Sequence, residues 1–452
     1  MFSKILIANR GEIAVRIIRA CKEMGISTVA VCSEADRESL HVSLADESIC
    51  IGPPQARDSY LNGNTVLTAA QVSGAQAIHP GYGFLSENAE FAELCRRNGI
   101  AFIGPSPEVI AKMGDKDEAR RTMQKAGIPV IPGSDVLRDS EDAKREAARI
   151  GYPVLLKARS GGGGRGIRLV RSENELEQAF GTATIEAEAA FGDGSLYLEK
   201  YLNPAKHIEL QILRDRKGNT VCIGERECSI QRNNQKLLEE SPAPSVSGAM
   251  REKMTRAAVQ AAAFVGYENA GTVEFLVDRE ENFYFMEMNT RLQVEHTVTE
   301  MVSGIDLVKW QIRIAAGASL DFSEPSVPVS GYAIECRINA ENRIESRIPQ
   351  DGQSGTVHIF HAPGGPDVRF DTCLYQGYTV PPFYDSMLGK LIVRAGTREE
   401  AIRKMKAALC ELVISGVPTN RDLQLEILSN SRFEKGDYDT GFMEAMTISG
   451  ES

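Results

Sequence analysis

The chain has 452 residues, of which 42% are hydrophobic and 25% are charged, and its formal net charge is −11. This length and composition describe a globular protein with room for about three domains, and the acidic balance argues against nucleic acid as a partner. No apolar stretch reaches the length of a membrane span and no export signal is visible, so the sequence predicts a cytoplasmic protein without membrane contact. The nine cysteines contain no C-x-x-C pair, which favours reduced thiols over disulfides or zinc ligands.

The first 112 residues alternate between strand-like and helix-like patterns. The predicted elements are strands at 4–8, 28–32, 75–78 and 101–103, and an amphipathic helix at 12–24. This alternation predicts a parallel, Rossmann-like sheet. The turn after the first strand, Asn9-Arg10-Gly11-Glu12, lacks the G-x-G-x-x-G pattern, so a dinucleotide site is poorly supported. The glycines of the loop at 79–88 fit a ligand-binding turn and a structural turn, with a helix cap at Ser86 or Glu87, equally well.

A glycine-rich segment lies between two predicted strands, at 153–158 and 167–170. It reads Arg159-Ser-Gly-Gly-Gly-Gly-Arg-Gly166. A Walker loop requires Gly-Lys-Ser/Thr followed by a helix, so we predict a glycine-rich hairpin instead. Lys157 and Arg165 place positive charge where phosphates would lie, which favours phosphate binding over a merely mobile loop.

Other segments add local predictions. Ser172 and Glu175 form a capping-box pattern before a helix. The segment 225–236 contains two Arg, one Lys and two Gln among acids, which favours an anion channel over a solvated surface. Helices are predicted at 116–131, 302–316 and 399–414, and the pattern changes to short strands from about residue 331.

A predicted hairpin carries most of the chemical information. Two apolar runs flank four polar residues at 279–282, as in an antiparallel hairpin with a four-residue loop. Pairing Asp278 with Phe283 places Glu274 opposite Glu287 on one face of the sheet. Facing carboxylates need a cation between them unless water solvates the face.

The residues after this pair extend its polar face. Asn289 and Arg291 share the face with the two glutamates, and Gln293 and Glu295 continue the alternation. An all-oxygen set of carboxylates and an amide suits Mg²⁺. A metal, an anion clamp and a carboxylate base together predict a reaction centre.

Together the motifs closely resemble those of biotin carboxylase, a family of ATP-grasp enzymes. The matching runs, in family order over nearly the whole chain, are 7–13, 79–88, 113–116, the glycine loop, 199–202, 287–296, 335–341 and 378–390. The resemblance implies an α/β and α+β fold in three parts. These are a Rossmann-like pre-ATP-grasp domain at 1–112, an ATP-grasp domain at 113–330 with a mobile lid at about 131–203, and a C-terminal biotin carboxylase domain at 331–452.

The resemblance also implies a reaction. ATP, Mg²⁺ (or Mn²⁺) and bicarbonate give ADP and carboxyphosphate, and the carboxyl group passes to N1′ of biotin on a carrier protein. The implied partners are that biotin carboxyl carrier protein, carboxyltransferase subunits and a second copy of the chain. The chain would be the biotin carboxylase subunit of acetyl-CoA carboxylase, in fatty acid biosynthesis, or of a related acyl-CoA or pyruvate carboxylase, and its sequence does not distinguish these acceptors.

The resemblance assigns roles by position. The implied ATP contacts are Lys116, Lys157, Gly163, Gly164, Glu199, Lys200, Leu202, His207, Gln231, Asn234, Glu274 and Glu287. The implied metal ligands are Glu274, Glu287 and Asn289. The implied bicarbonate contacts are Lys236, Arg291, Gln293 and Val294. Glu295 is the implied base, Arg337 the residue that stabilises the biotin enolate, and Tyr82 a neighbour of the biotin ring; Arg291 and Lys236 complete the catalytic set.

The sequence departs from the family in a few places. Asn233 and Asn234 stand where relatives often have Arg-His, and Arg159-Ser160 stands where many have Ser-Gly, which could stiffen the lid. His296 is predicted to be structural. Residues 444–447 resemble the start of a biotin attachment motif but have Thr in place of the acceptor Lys, which predicts a separate carrier chain or region.

Two alternatives remain. One is a carbamoyl-phosphate-synthetase-like ligase that forms carboxyphosphate and transfers it to ammonia; Arg337 and the run at 378–390 argue against it. The other is a nucleotide-sensing protein without turnover. The presence of Glu274, Glu287, Arg291 and Glu295 argues against that second reading.

Overall fold

The structure, a computed structural model, describes residues 1–160, 166–322, 326–341 and 354–449. Gly163 and Gly164 therefore lie outside the described residues. The N-terminal strands are β1 (Lys4–Ile7), β2 (Ser27–Cys32), β3 (Glu47–Cys50), β4 (Ala77–His79) and β5 (Ala101–Phe102). The accompanying helices are α1 (Gly11–Glu23), α2 (Leu40–Leu44), α3 (Gly63–Ser73), α4 (Ala89–Arg97) and α5 (Pro107–Gly114).

These strands form a parallel sheet in the order β3-β2-β1-β4-β5, which confirms the predicted Rossmann-like arrangement. The sequence analysis missed β3. Its residues are mostly exposed, so the strand has neither the apolar run nor the alternation that predicts a strand. Among the described residues, no helix is long and apolar enough to cross a membrane.

A second module follows the N-terminal sheet. After α6 (Lys116–Lys125), which packs against the larger sheet described below, its elements are α7 (Ser140–Ile150), β6 (Val154–Ala158), β7 (Ile167–Val170), α8 (Glu173–Phe191) and β8 (Leu196–Lys200). The strands form an antiparallel sheet in the order β7-β6-β8, and α7 and α8 pack around an apolar cluster that includes Leu156, Leu176 and Leu198. The predicted capping box is wrong in detail. Ser172 makes no side-chain cap; instead Glu175 accepts a hydrogen bond from the Arg171 N–H at 2.9 Å.

An eight-stranded antiparallel sheet forms the body of the remaining chain. Its first strands are β9 (Lys206–Arg214), β10 (Thr220–Arg232), β11 (Gln235–Ser241), β12 (Asn269–Val277) and β13 (Phe283–Asn289). The helices between and after them are α9 (Gly248–Phe264), α10 (His296–Ser303) and α11 (Leu307–Ala315). The single helix predicted at 302–316 is thus two, because Gly304 ends α10 in the left-handed conformation and Asp306 caps α11.

The C-terminal part completes this sheet. Its strands are β14 (Tyr332–Asn339), β15 (Gly355–Thr356), β16 (Ile359–His361), β17 (Val368–Thr372), β18 (Thr379–Val380), β19 (Met387–Ala395) and β20 (Val413–Ser415). Its helices are α12 (Arg398–Glu411), α13 (Arg421–Ser429), α14 (Ser431–Glu434) and α15 (Phe442–Ser449). The strand order β13-β12-β9-β10-β11-β14-β19-β17 joins both parts of the chain, and α10 crosses the middle of the sheet against β10, β11, β14 and β19.

Candidate active site

The β12–β13 hairpin has the predicted register at its acidic pair. Glu274 lies opposite Glu287, and Thr272 opposite Asn289. The predicted closing pair is wrong, because Val277 rather than Asp278 pairs with Phe283. A β-bulge beyond Glu274 adds one residue on β13 and restores the register at the glutamates. The one-residue error in the predicted turn and the one-residue shift from the bulge therefore cancel, and the predicted register is correct at the two glutamates.

Lys236 on β11 lies at the centre of a buried ion cluster. Its Nζ lies 2.6 Å from Glu209, 2.6 Å from Glu295 and 3.2 Å from Glu274. Burial alone would lower the pKa of Lys236, but the three carboxylates hold it well above its usual value. The ammonium therefore keeps its charge among the three carboxylates.

Glu295 occupies the cap position of α10 and points at two cations. Its carboxylate accepts hydrogen bonds from Lys236 Nζ at 2.6 Å and from the Arg337 guanidinium at 2.9 Å. Burial would raise the pKa of Glu295, but these cations outweigh it and hold the pKa well below the usual value. Arg337 also donates to Glu239 at 2.7 Å, and burial raises the pKa of Glu239 to about 8.

Arg226 forms the floor of the cluster and is fully buried. It donates at 2.5–3.1 Å to the side chains of Glu209, Gln211, Thr272, Gln293 and Thr299. One guanidinium thus fixes residues from β9, β12, α10 and the segment before α10. Sequence reasoning did not single out Arg226 or Glu209; the available signal was the alternation of polar and apolar residues along β9.

Two of the three predicted metal ligands are in contact, and the third lies opposite one of them in the hairpin. Asn289 donates to Glu274 Oε1 at 2.7 Å, and Lys116 Nζ lies 3.7 Å from Glu287. Glu274 is buried, while the side chain of Glu287 is 35% exposed. Mg²⁺ prefers oxygen ligands and retains water and phosphate in its coordination shell. Two facing carboxylates beside an amide fit this preference, because the Glu287 carboxylate is open to solvent.

Arg291 lies beside this set and has a partner that the sequence analysis interpreted differently. Its Nε donates to Glu87 at 2.8 Å, and its guanidinium also donates to Asn289 Oδ1 at 3.1 Å. Glu87 was predicted only as a possible helix cap. Asn88 is the residue that caps α4, which leaves the Glu87 carboxylate free to join the site.

The predicted nucleotide contacts divide into two groups. Lys157 on β6 donates to Glu199 on β8, and Leu202 lies two residues after the end of β8. Lys200 donates its ammonium to the carbonyls of Gly151 and Tyr152 and its backbone N–H to the Pro132 carbonyl. Lys157, Glu199 and Lys200 all belong to the three-stranded sheet of the second module.

The second group lines the sheet. His207 Nε2 lies 2.7 Å from Glu274, and its Nδ1 lies 2.7 Å from Gln231 Nε2. Asn234 is exposed and forms, with Asn233, the two-residue turn between β10 and β11; both have positive φ. Asparagine tolerates this conformation better than most residues, so Asn233 and Asn234 suit the turn.

The remaining predicted residues surround Lys390. Gln293 donates to Glu274 at 2.5 Å, and the Val294 carbonyl accepts from Lys390 Nζ at 2.7 Å. Lys390 lies opposite Arg337 in the sheet, and its Nζ is 5.8 Å from the centroid of the Tyr82 ring. The two predicted biotin residues therefore flank one buried lysine. His296 is fully buried and bonds the Gln293 carbonyl, as expected of a structural histidine.

Family comparisons cover most of the chain. The family described as "Biotin carboxylase, N-terminal domain" matches residues 1–110, "Carbamoyl-phosphate synthase L chain, ATP binding domain" matches 115–323, and "Biotin carboxylase C-terminal domain" matches 335–445. Biotin carboxylase 1 of Bacillus subtilis is 52% identical over 452 residues, which is 100% of both chains.

Solved biotin carboxylase structures also superpose on this chain. A Campylobacter jejuni biotin carboxylase in complex with β,γ-ATP superposes with a TM-score of 0.94 at 50% identity, covering 98% of this chain and 99% of that one. The biotin carboxylase domain dimer of Hydrogenobacter thermophilus 2-oxoglutarate carboxylase, with MgADP, ADP and bicarbonate, superposes with a TM-score of 0.93 at 50% identity. The matches cover 99% of this chain and 98% of that one.

Proposed function

The chain belongs to the biotin carboxylase family of ATP-dependent ligases, and we propose that the ion cluster on its central sheet carboxylates biotin with ATP and bicarbonate. The observation that carries the proposal is the position of Glu295. Its carboxylate lies between Lys236 and Arg337 and next to the acidic hairpin. A base, two cations and a metal-binding pair within one cluster meet the demands of bicarbonate activation.

Glu295 is the proposed base. Lys236 and Arg337 keep it ionised, and so able to accept a proton, while also suppressing its basicity. A bicarbonate anion that takes over one of these cations would return basicity to the carboxylate at the moment when a proton must be removed. The base is thus activated by its own substrate.

The phosphate end of the site is assigned to the hairpin and the lid. Glu274, Glu287 and Asn289 would hold Mg²⁺, which when bound neutralises charge on the transferring phosphoryl group. Lys116 and Lys157 are proposed to contact the nucleotide, and Arg291, Gln293 and the Val294 backbone the bicarbonate. The lid excludes water, since carboxyphosphate hydrolyses readily.

The remaining ATP contacts are proposed from the family match. They are Gly163, Gly164, Glu199, Lys200, Leu202, His207, Gln231 and Asn234. Arg337 is proposed to stabilise the biotin enolate, with Tyr82 beside the biotin ring. The common position of these two residues around Lys390 supports that assignment.

We also propose the wider organisation. The family matches support divisions at 1–112, 113–330 and 331–452, and the separate core of the lid module supports a lid at about 131–203. A biotin carboxyl carrier protein, carboxyltransferase subunits and a homodimer are the proposed partners, with a cytoplasmic location. The acyl acceptor is chosen outside this chain.

The test is ADP release from the purified protein with MgATP and bicarbonate, with and without free biotin. Biotin should stimulate release. Glu295→Gln should lower the rate by about 100- to 10,000-fold, because a carboxamide cannot accept the proton, and Arg337→Ala should abolish the biotin stimulation. Stimulation by ammonia instead of biotin would favour the carbamoyl-phosphate-like alternative, and absence of turnover would favour a nucleotide-binding protein.

A further inference from the structure

Lys390 is a fully buried lysine in the eight-stranded sheet, on the strand next to the edge strand β17. It lies on β19, opposite Arg337 on β14 and Asp371 on β17. Like charges directly opposite each other destabilise a sheet, and removing an ammonium from water is costly. A methionine of similar length would fill this position without either cost, so the charge of Lys390 requires an explanation.

The contacts of Lys390 lead to the proposed base. Its Nζ donates to the Val294 carbonyl at 2.7 Å and lies 3.3 Å from Glu12 on α1. The Val294 carbonyl belongs to the peptide group that joins Val294 to Glu295. Lys390 therefore determines the orientation of the peptide plane from which the base projects.

A second contact holds the backbone on the other side of Glu295. The Thr297 hydroxyl, in the first turn of α10, donates to Glu335 on β14. Glu295 is thus bracketed by Lys390 from β19 and by Glu335 from β14. Both contacts fix the start of α10 on the face of the sheet that carries Arg337.

We propose that Lys390 is a positioning residue, which through the Val294 carbonyl places the Glu295 carboxylate between Lys236 and Arg337. The proposal rests on the function assigned to Glu295 above. Glu12 acts one step further away, because its carboxyl group on α1 lies 3.3 Å from the Lys390 ammonium. The first helix of the chain thereby contributes to the geometry of a site formed by the central sheet.

The test compares Lys390→Met with the parent protein in bicarbonate-dependent ADP release and in nucleotide binding. We expect kcat to fall about 10- to 100-fold, since a small misplacement of a reacting group costs up to that much. The Kd for MgATP, measured by calorimetry, should stay within about twofold. A residue that only stabilised the fold would not separate kcat from nucleotide affinity in this way.

Glu12→Gln provides a test of the connection. It should lower kcat less than Lys390→Met does, and in the double variant it should add no more than about twofold, because its effect passes through Lys390. Independent, multiplicative losses in the double variant would contradict that connection.

Arg398→Met is the matched control. Arg398 is also a buried cation against this sheet, but on the opposite face, where it holds Glu240 and the Phe433 and Glu434 carbonyls. The Arg398→Met variant should have a lower thermal stability than the parent protein, with a kcat within about twofold of the parent value. An unchanged kcat in Lys390→Met, or an equal loss of kcat in Arg398→Met, would overturn the positioning role and leave the proposed function intact. A parent protein without biotin-stimulated turnover would overturn both.

Discussion

Neighbouring carboxylates in the site are held in different protonation states. Arg337 contacts both Glu295 and Glu239, yet burial raises the pKa of Glu239 to about 8, whereas Lys236 and Arg337 hold the pKa of Glu295 well below its usual value. The difference arises because Glu295 has a second cationic partner in Lys236. Two carboxyl groups whose pKa values are shifted in opposite directions supply one ionised base and one group able to keep its proton near neutral pH.

His41 gives a prediction about pH and stability. Burial lowers its pKa to about 4, although Asp36 opposes the shift. His41 is protonated near pH 6.5 in the unfolded chain but only near pH 4 in the folded chain. The free energy of unfolding therefore decreases as the pH falls from about 6.5 to about 4. Between pH 6.5 and pH 5 the parent should lose roughly 2 kcal/mol more than His41→Asn.

Urea unfolding at the two pH values measures this difference. His361→Asn serves as the control for an exposed histidine, because the His361 side chain is 58% exposed. Equal pH dependence in the parent and in His41→Asn would show that His41 does not contribute.

At the scale of elements, the turn between β10 and β11 determines where Lys236 lies. Asn233 and Asn234 have φ of 52° and 60°, the left-handed values that a two-residue hairpin loop requires. Asn234→Val should cost about 1–2 kcal/mol, because a β-branched residue is strained in this region, while Asn234→Gly should be close to neutral. The midpoint of urea unfolding without nucleotide checks both.

Gln235→Val is the comparison for that experiment. Gln235 is the exposed neighbour at the start of β11, where the backbone is extended and valine is well tolerated. If Gln235→Val destabilises the protein as much as Asn234→Val does, the cost comes from lost polarity and not from the turn.

At the scale of the whole molecule, the C-terminal part fills the edge of the N-terminal sheet. Tyr384 contacts the Ser33 hydroxyl at 2.5 Å, and Arg10 lies 4.1 Å from the centroid of its ring. In open α/β sheets this edge commonly holds a nucleotide. Here a side chain from 350 residues further along the chain occupies it, which agrees with the absence of a G-x-G-x-x-G motif.

The oligomeric state is the prediction that belongs to this scale. We expect sedimentation equilibrium to give about twice the 49.4 kDa chain mass, because a homodimer is proposed from the family match. A monomeric mass at micromolar concentration would contradict the proposed dimer while leaving the chemistry of the site intact.

The sequence by itself determined the features that depend on local pattern. Strand alternation predicted the hairpin and its acidic face, and the N-terminal alternation of elements predicted the parallel sheet, because both arise from periodicities of a few residues. The sequence motifs were sufficient to identify the biotin carboxylase family.

Only the tertiary structure decided which distant residues share the site. The alternation along β9 and the polar segment at 225–236 do not show that Glu209 and Arg226 contact each other, and Glu87 was predicted only as a possible helix cap. The bulge at Glu274 offset a wrong closing pair. Lys390 reaches Val294 from 96 residues away. Such contacts depend on strand order and on burial, and burial converts ordinary charges into strongly coupled ones because water no longer screens them.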